Sequence, residues 1–144
     1  MIKNERQLGI TRKWLREFKQ AHVDLLSNKE NVDPIMLQAE VGGVLSQIKT
    51  FRKEISDYKR LKARHTTRVK SVYDIGEMLV KARIMLGMTQ KQLADKINLK
   101  EQQIQRYEDT NYAKASLSTI TGIAYELGVT SGSIWISIQK EPQQ

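Results

Sequence analysis

Residues 101–106 read Glu-Gln-Gln-Ile-Gln-Arg, and Tyr107 and Glu108 follow. Glutamine can pair two hydrogen bonds with adenine in the major groove, arginine can do the same with guanine, and glutamate can accept from the amino group of cytosine. If the segment is helical, over about Glu101–Glu108, Ile104 and Tyr107 turn inward. Glu101, Gln102, Gln103, Gln105 and Arg106 then face out. Other chemistry has little support. The chain has no cysteine, which removes disulfides, thiol nucleophiles and thiolate-bound zinc. Its two histidines, His22 and His65, are too far apart in sequence to point to a shared metal site. There is no Ser/His/Asp set, glycine-rich phosphate loop or paired-carboxylate motif in a persuasive context, so neither an enzyme nor a bound cofactor is expected.

The elements that would hold these side chains are all helical; no stretch alternates apolar and polar residues long enough for a strand. Ile75, Leu79, Ala82 and Leu86 mark one face of a helix that begins after Ser71 or Asp74 and stops at Gly87. Thr89 is placed to cap a short helix, Gln90 to Lys96, with Leu93, Ala94 and Ile97 inward. A small residue such as Ala94 is needed where two helices cross steeply at close range. Asn98 stands at the turn, where a left-handed backbone is expected and asparagine is the next-best residue to glycine. Ser116 can cap a fourth helix through Leu127, closed by Gly128, and Val129, Ile134 and Trp135 indicate a fifth. Met78, Met85, Met88, Trp14 and Trp135 read as packing residues.

This ordered set of segments resembles the lambda-repressor-like, or XRE-type, helix-turn-helix family over residues 72–138. The residues that carry the resemblance are IGE…LVKAR, MTQKQLADK, NLKEQQIQRYED and SLSTITGIAYELGV. The resemblance implies a five-helix DNA-binding domain with Gln90 to Lys96 and Glu101 to Glu108 as its two motif helices. It implies base reading by Glu101, Gln102 and Arg106, and phosphate contacts by Gln90, Lys100, Gln103, Asn111, Tyr112 and Lys114. Arg83 matches an arginine that braces the domain, through an acidic partner such as Glu108. Three residues depart from the common pattern. Lys100 replaces the usual Ser or Thr cap, Asn98 replaces a glycine, and Glu101 puts a negative charge at the head of the reading helix.

The N-terminal half has no family resemblance. Leu15, Phe18, His22 and Leu25 lie along one face of a helix expected from Thr11 to Ser27. Asp33-Pro34 opens a long second helix over residues 34–63. Leu37, Val41, Val44, Ile48, Phe51, Ile55 and Tyr58 recur along it at spacings of four and three, a coiled-coil-like seam. The two helices form an antiparallel hairpin over residues 1–65, which either simply covers itself or, as expected here, serves as a dimerisation or partner-binding arm whose seam packs on a second copy. A basic linker, 66–71, joins it to the domain at 72–138, and residues 139–144 form a polar tail. The net charge of +8 is carried mostly by residues 1–66, with a basic run from Lys49 to Lys70. It fits a polyanionic partner.

The whole therefore reads as all-α: an antiparallel hairpin followed by a five-helix reading domain. The expected function is a transcriptional regulator, a repressor, which binds double-stranded DNA as a homodimer on a palindromic site. The alternative is an antitoxin whose N-terminal helices hold a toxin protein while the same domain autoregulates the pair. The start of the sequence is too polar for a signal peptide, and no apolar run spans a membrane, so a cytoplasmic location is expected.

Overall fold

The computed structural model describes residues 1–28, 30, 33–63 and 71–129. Helix α1 spans Glu5–Ser27 and α2 spans Pro34–Lys62. A single 3-10 turn, Val72–Asp74, leads into α3, Ile75–Met85. Helices α4, Gln90–Lys96, α5, Glu101–Asp109, and α6, Leu117–Glu126, complete the described part of the chain. Among the described residues all regular structure is helical, and no helix is long and apolar enough to cross a membrane. The fifth domain helix expected around Ile134 and Trp135 and most of the basic linker lie outside the described residues, as does His65.

Each start and stop has a local cause. Helix α1 begins six residues earlier than the apolar spacing predicts. Asn4 is the cap: its Oδ1 accepts from Gln7 N at 2.8 Å, and Gln7 Oε1 accepts from Lys3 N at 2.8 Å. Helix α2 begins where expected, with Asp33 Oδ1 accepting from the backbone N–H groups of Ile35 and Met36. Gly87 ends the α3 segment at φ 66°, and Gly128 ends that of α6 at φ 62°. In both cases the following residue donates back to the helix, Met88 to Arg83 O and Val129 to Ala124 O. Asn98 takes φ 55°, the left-handed turn expected between α4 and α5.

Helices α1 and α2 run antiparallel and pack along their length. Glu5, at the start of α1, meets Tyr58 and Lys62, at the end of α2. Farther along, Trp14 and Phe18 both pack on Phe51, with ring centroids 5.9 and 5.4 Å away. Of the two readings of the hairpin, the structure shows the one in which it covers itself, with α1 on the α2 seam. Ile48, Ile55 and Tyr58 are buried within the chain, and Leu37, Val41, Val44 and Phe51 are half-buried, because α1 covers them. The physical reason is that α1, extended to Glu5, is long enough to cover most of the seam, and its apolar residues satisfy it.

The hairpin is also joined to the following helices. Ile2, Leu8, Ile55 and Tyr58 belong to the same buried cluster as Leu79, Val80, Ile84, Leu93, Ile104 and Ile123. The boundary drawn at residue 66 thus falls between parts that share one core. At about 25 cal/mol per Å² of apolar surface removed from water, such shared burial ties the base of the hairpin to the domain.

Candidate nucleic-acid interface

Thr89 and Gln92 form a reciprocal cap at the start of α4: Thr89 Oγ1 accepts from Gln92 N at 3.0 Å, and Gln92 Oε1 accepts from Thr89 N at 2.8 Å. The chain turns at Asn98, and Leu99 N donates to Ala94 O at 2.9 Å. Ala94 is fully buried, as a close crossing of α4 and α5 requires. Helix α5 then starts at Glu101. Lysine has no acceptor, so Lys100 cannot cap the helix with its side chain. Gln103 supplies the other half of the arrangement, its Oε1 accepting from Lys100 N at 3.0 Å. That bond turns the Gln103 oxygen toward the backbone and leaves its amide N–H groups for the outside.

Helix α5 buries Ile104 and Glu108 and exposes Glu101, Gln102, Gln103 and Arg106. Gln102 and Arg106 are one turn apart on the same outward face, and neither side chain is hydrogen-bonded or ion-paired among the described residues. Glu101 is partly occupied, its Oε1 accepting from Gln105 Nε2 at 3.4 Å. Lys100 and Lys114 are exposed at the two ends of this region.

Behind the exposed face lies a buried polar network. Arg83 Nε donates to Glu108 Oε1 at 2.5 Å, and its second terminal nitrogen donates to Glu108 Oε2 at 2.7 Å. Arg83 is 2% exposed and Glu108 not at all. The remaining guanidinium donors reach Met88 O and Lys3 O, both at 2.8 Å. Gln90 Nε2 donates to Glu108 Oε2 at 2.8 Å, while Asn4 Nδ2 donates to Gln90 Oε1 at 3.0 Å. The direction of every bond is fixed. Asn4 Oδ1 is used by the cap of α1, so its amide nitrogen must point to Gln90. Gln90 must then present its nitrogen to the carboxylate.

Two of the expected phosphate contacts change meaning here. Tyr112 is corrected: it is 1% exposed, and its ring stacks on Tyr107 at a centroid distance of 6.0 Å. Its hydroxyl is buried with no partner, and its ionisation is pushed up by burial and then by the charge of Glu108. Gln90 is 6% exposed, and both its carboxamide oxygen and nitrogen are tied inside, so it acts in this structure as an internal brace. Asn111 stays exposed, but its Oδ1 accepts from Lys3 Nζ at 3.2 Å. Lys3 Nζ also donates to Glu108 O at the end of α5.

Sequence reasoning missed Lys3 and Asn4. The Asn4–Gln7 spacing is a helix-start signature that would have placed Asn4, but nothing in sequence announces its contact 86 residues away. Gly76 was also passed over. A Cβ there would stand 1.7 Å from Asn111 O, so α3 and the loop after α5 can touch only because residue 76 has no side chain.

A short helix, a turn at Asn98 and a second helix with a polar outer face form a helix-turn-helix unit. The family model described as Helix-turn-helix matches residues 79–133. Those residues are a helix-turn-helix domain of the XRE, lambda-repressor-like kind. The helix-turn-helix match begins within α3 and leaves the hairpin unassigned. Among curated proteins and solved structures, none matches the chain. A helix-turn-helix domain of this kind is the DNA-binding part of a transcription regulator.

Proposed function

We propose that the chain is a sequence-specific transcriptional regulator, a repressor, that reads the major groove with α5. The observation that carries this is the pair Gln102 and Arg106, exposed one turn apart on α5 and free of partners among the described residues. Their bidentate groups match adenine and guanine edges, and Lys100, Gln103 and Lys114 stand at the rim for phosphates. One such helix reads only a few base pairs. Two copies on half-sites about 34 Å apart would give useful affinity on a palindrome, joined through a face other than the α2 seam. Selection of bound sequences from a random duplex pool, at about physiological salt, tests the reading. An enriched, two-fold-related motif supports it.

A second reading has its own observation. On the hairpin, Ile35 is 78% exposed and Met36 59%, while Val23, Leu26 and Leu45 are each about half exposed. Such apolar surface suits a protein partner, as in an antitoxin that holds a toxin. A small protein from the adjoining reading frame that co-purifies with the full chain, but not with the variant Ile35→Lys/Met36→Lys, supports that role. The domain would then regulate the pair's own expression.

A further inference from the structure

We infer that the N-terminal turn of α1 is part of the DNA-binding surface and that Arg6 contacts a backbone phosphate. This rests on the DNA-binding reading above. A concavity of about 320 Å³ is lined by Asn4, Arg6, Thr89, Gln90, Glu101 and Gln105, among others. It brings the start of α1 beside the start of α4 and the first turn of α5. When a helix-turn-helix unit docks, the first motif helix crosses the sugar-phosphate backbone and the N-terminal residues of the second reach the bases. The rim that carries Thr89 and Glu101 is therefore the rim that meets the duplex, and Arg6 stands on it.

The charges on this rim leave Arg6 available. Glu5 is paired with Lys62 at 2.9 Å and hydrogen-bonded by Tyr58, and Glu101 is engaged by Gln105. Arg6 is exposed, and its side chain makes no hydrogen bond or ion pair among the described residues. Its backbone is also held in place. Asn4 ties the first turn of α1 to Gln90, Lys3 O accepts from Arg83, and Ile2 is buried in the shared core. A guanidinium on a fixed scaffold loses less freedom when it takes up a phosphate than one on a loose arm. Its fork geometry suits two phosphate oxygens.

The test uses the full chain, duplex DNA carrying the selected site and an unrelated duplex of equal length, titrated over a range of salt. Arg6→Gln is expected to weaken binding to both duplexes by the same factor. It should make the log–log salt dependence shallower by about one unit. Arg6→Lys, which keeps the charge, should retain most of the slope. Arg16→Gln, an equal charge loss on an exposed part of α1 beyond this rim, should leave it unchanged. A slope unaltered in Arg6→Gln, or lowered equally in Arg16→Gln, overturns the proposal while leaving α5 as the reader. If the unmodified chain binds neither duplex, the DNA-binding reading falls and the proposal with it.

Discussion

Arg83 on α3 and Glu108 on α5 meet inside the core through two parallel hydrogen bonds of 2.5 and 2.7 Å. Glu108 lies two residues after Arg106, so the pair fixes the rotation of α5 as well as its distance from α3. Gln90 and Asn4 extend the same network to α4 and α1. One carboxylate thus sets the positions of both motif helices and anchors the base of the hairpin.

Breaking this pair on one side should be costly. Arg83→Met leaves a buried carboxylate without its counter-charge, and the loss expected is about 3–5 kcal/mol. Arg83→Met combined with Glu108→Met removes both charges and should recover part of that loss. Denaturant unfolding of the two single variants and the double variant measures the coupling. Strictly additive losses would show that the two residues act independently.

Gly76→Ala should destabilise by about 3 kcal/mol or more, because the added Cβ stands 1.7 Å from a backbone oxygen rather than from a flexible side chain. Gly42→Ala, in the middle of α2, is the contrast. Its Cβ meets nothing within 4 Å, so better helix propensity should stabilise the protein by about 1 kcal/mol. Thermal unfolding of the two variants should move the midpoint in opposite directions.

The hydroxyl of Tyr112 is buried without a partner, and an unsatisfied group of this kind costs about 1–3 kcal/mol. Tyr112→Phe keeps the ring stacked on Tyr107 and should be neutral or stabilising. It should also leave DNA affinity unchanged, since the residue does not reach the surface. A loss of affinity in the folded variant would restore the phosphate role that the sequence implied.

Tyr58 has its ionisation pushed up to about 12 by burial, with the charge and hydrogen bond of Glu5 adding to it. The folded value lies above the unfolded one, so the associated stability is fully present below pH 10 and is lost as pH rises through about 12. Unfolding free energy measured across that window should fall. Tyr58→Phe should flatten the fall while leaving any other alkaline transitions in place.

The helix-turn-helix domain was legible because its signals are local. Gly87, Thr89, Asn98, Ser116 and Gly128 each mark a boundary that the backbone observes. Arg83 and Glu108 could be paired because the family resemblance carried both. The hairpin was harder to read. The heptad pattern of α2 predicts a partner helix but is silent on which one, and a seam satisfied by α1 looks the same in sequence as one satisfied by a second copy. Tyr112 was misplaced for a similar reason. It sits at φ 61°, an uncommon backbone region for a bulky residue, and that turn swings the ring inward where a loop residue would ordinarily face out. The links from Lys3 and Asn4 to α4 and α5 depend on the tertiary fold alone.

Arg106 on α5 is proposed to read a base. The most direct test is to select bound duplexes from a random pool with the unmodified chain and with Arg106→Ala, at the same salt concentration. One enriched motif is expected for the unmodified chain. In the variant, binding should be weaker by about 1–3 kcal/mol, and preference should be lost at one position of each half-site while the others are kept. An identical motif bound with identical affinity by both proteins would contradict it.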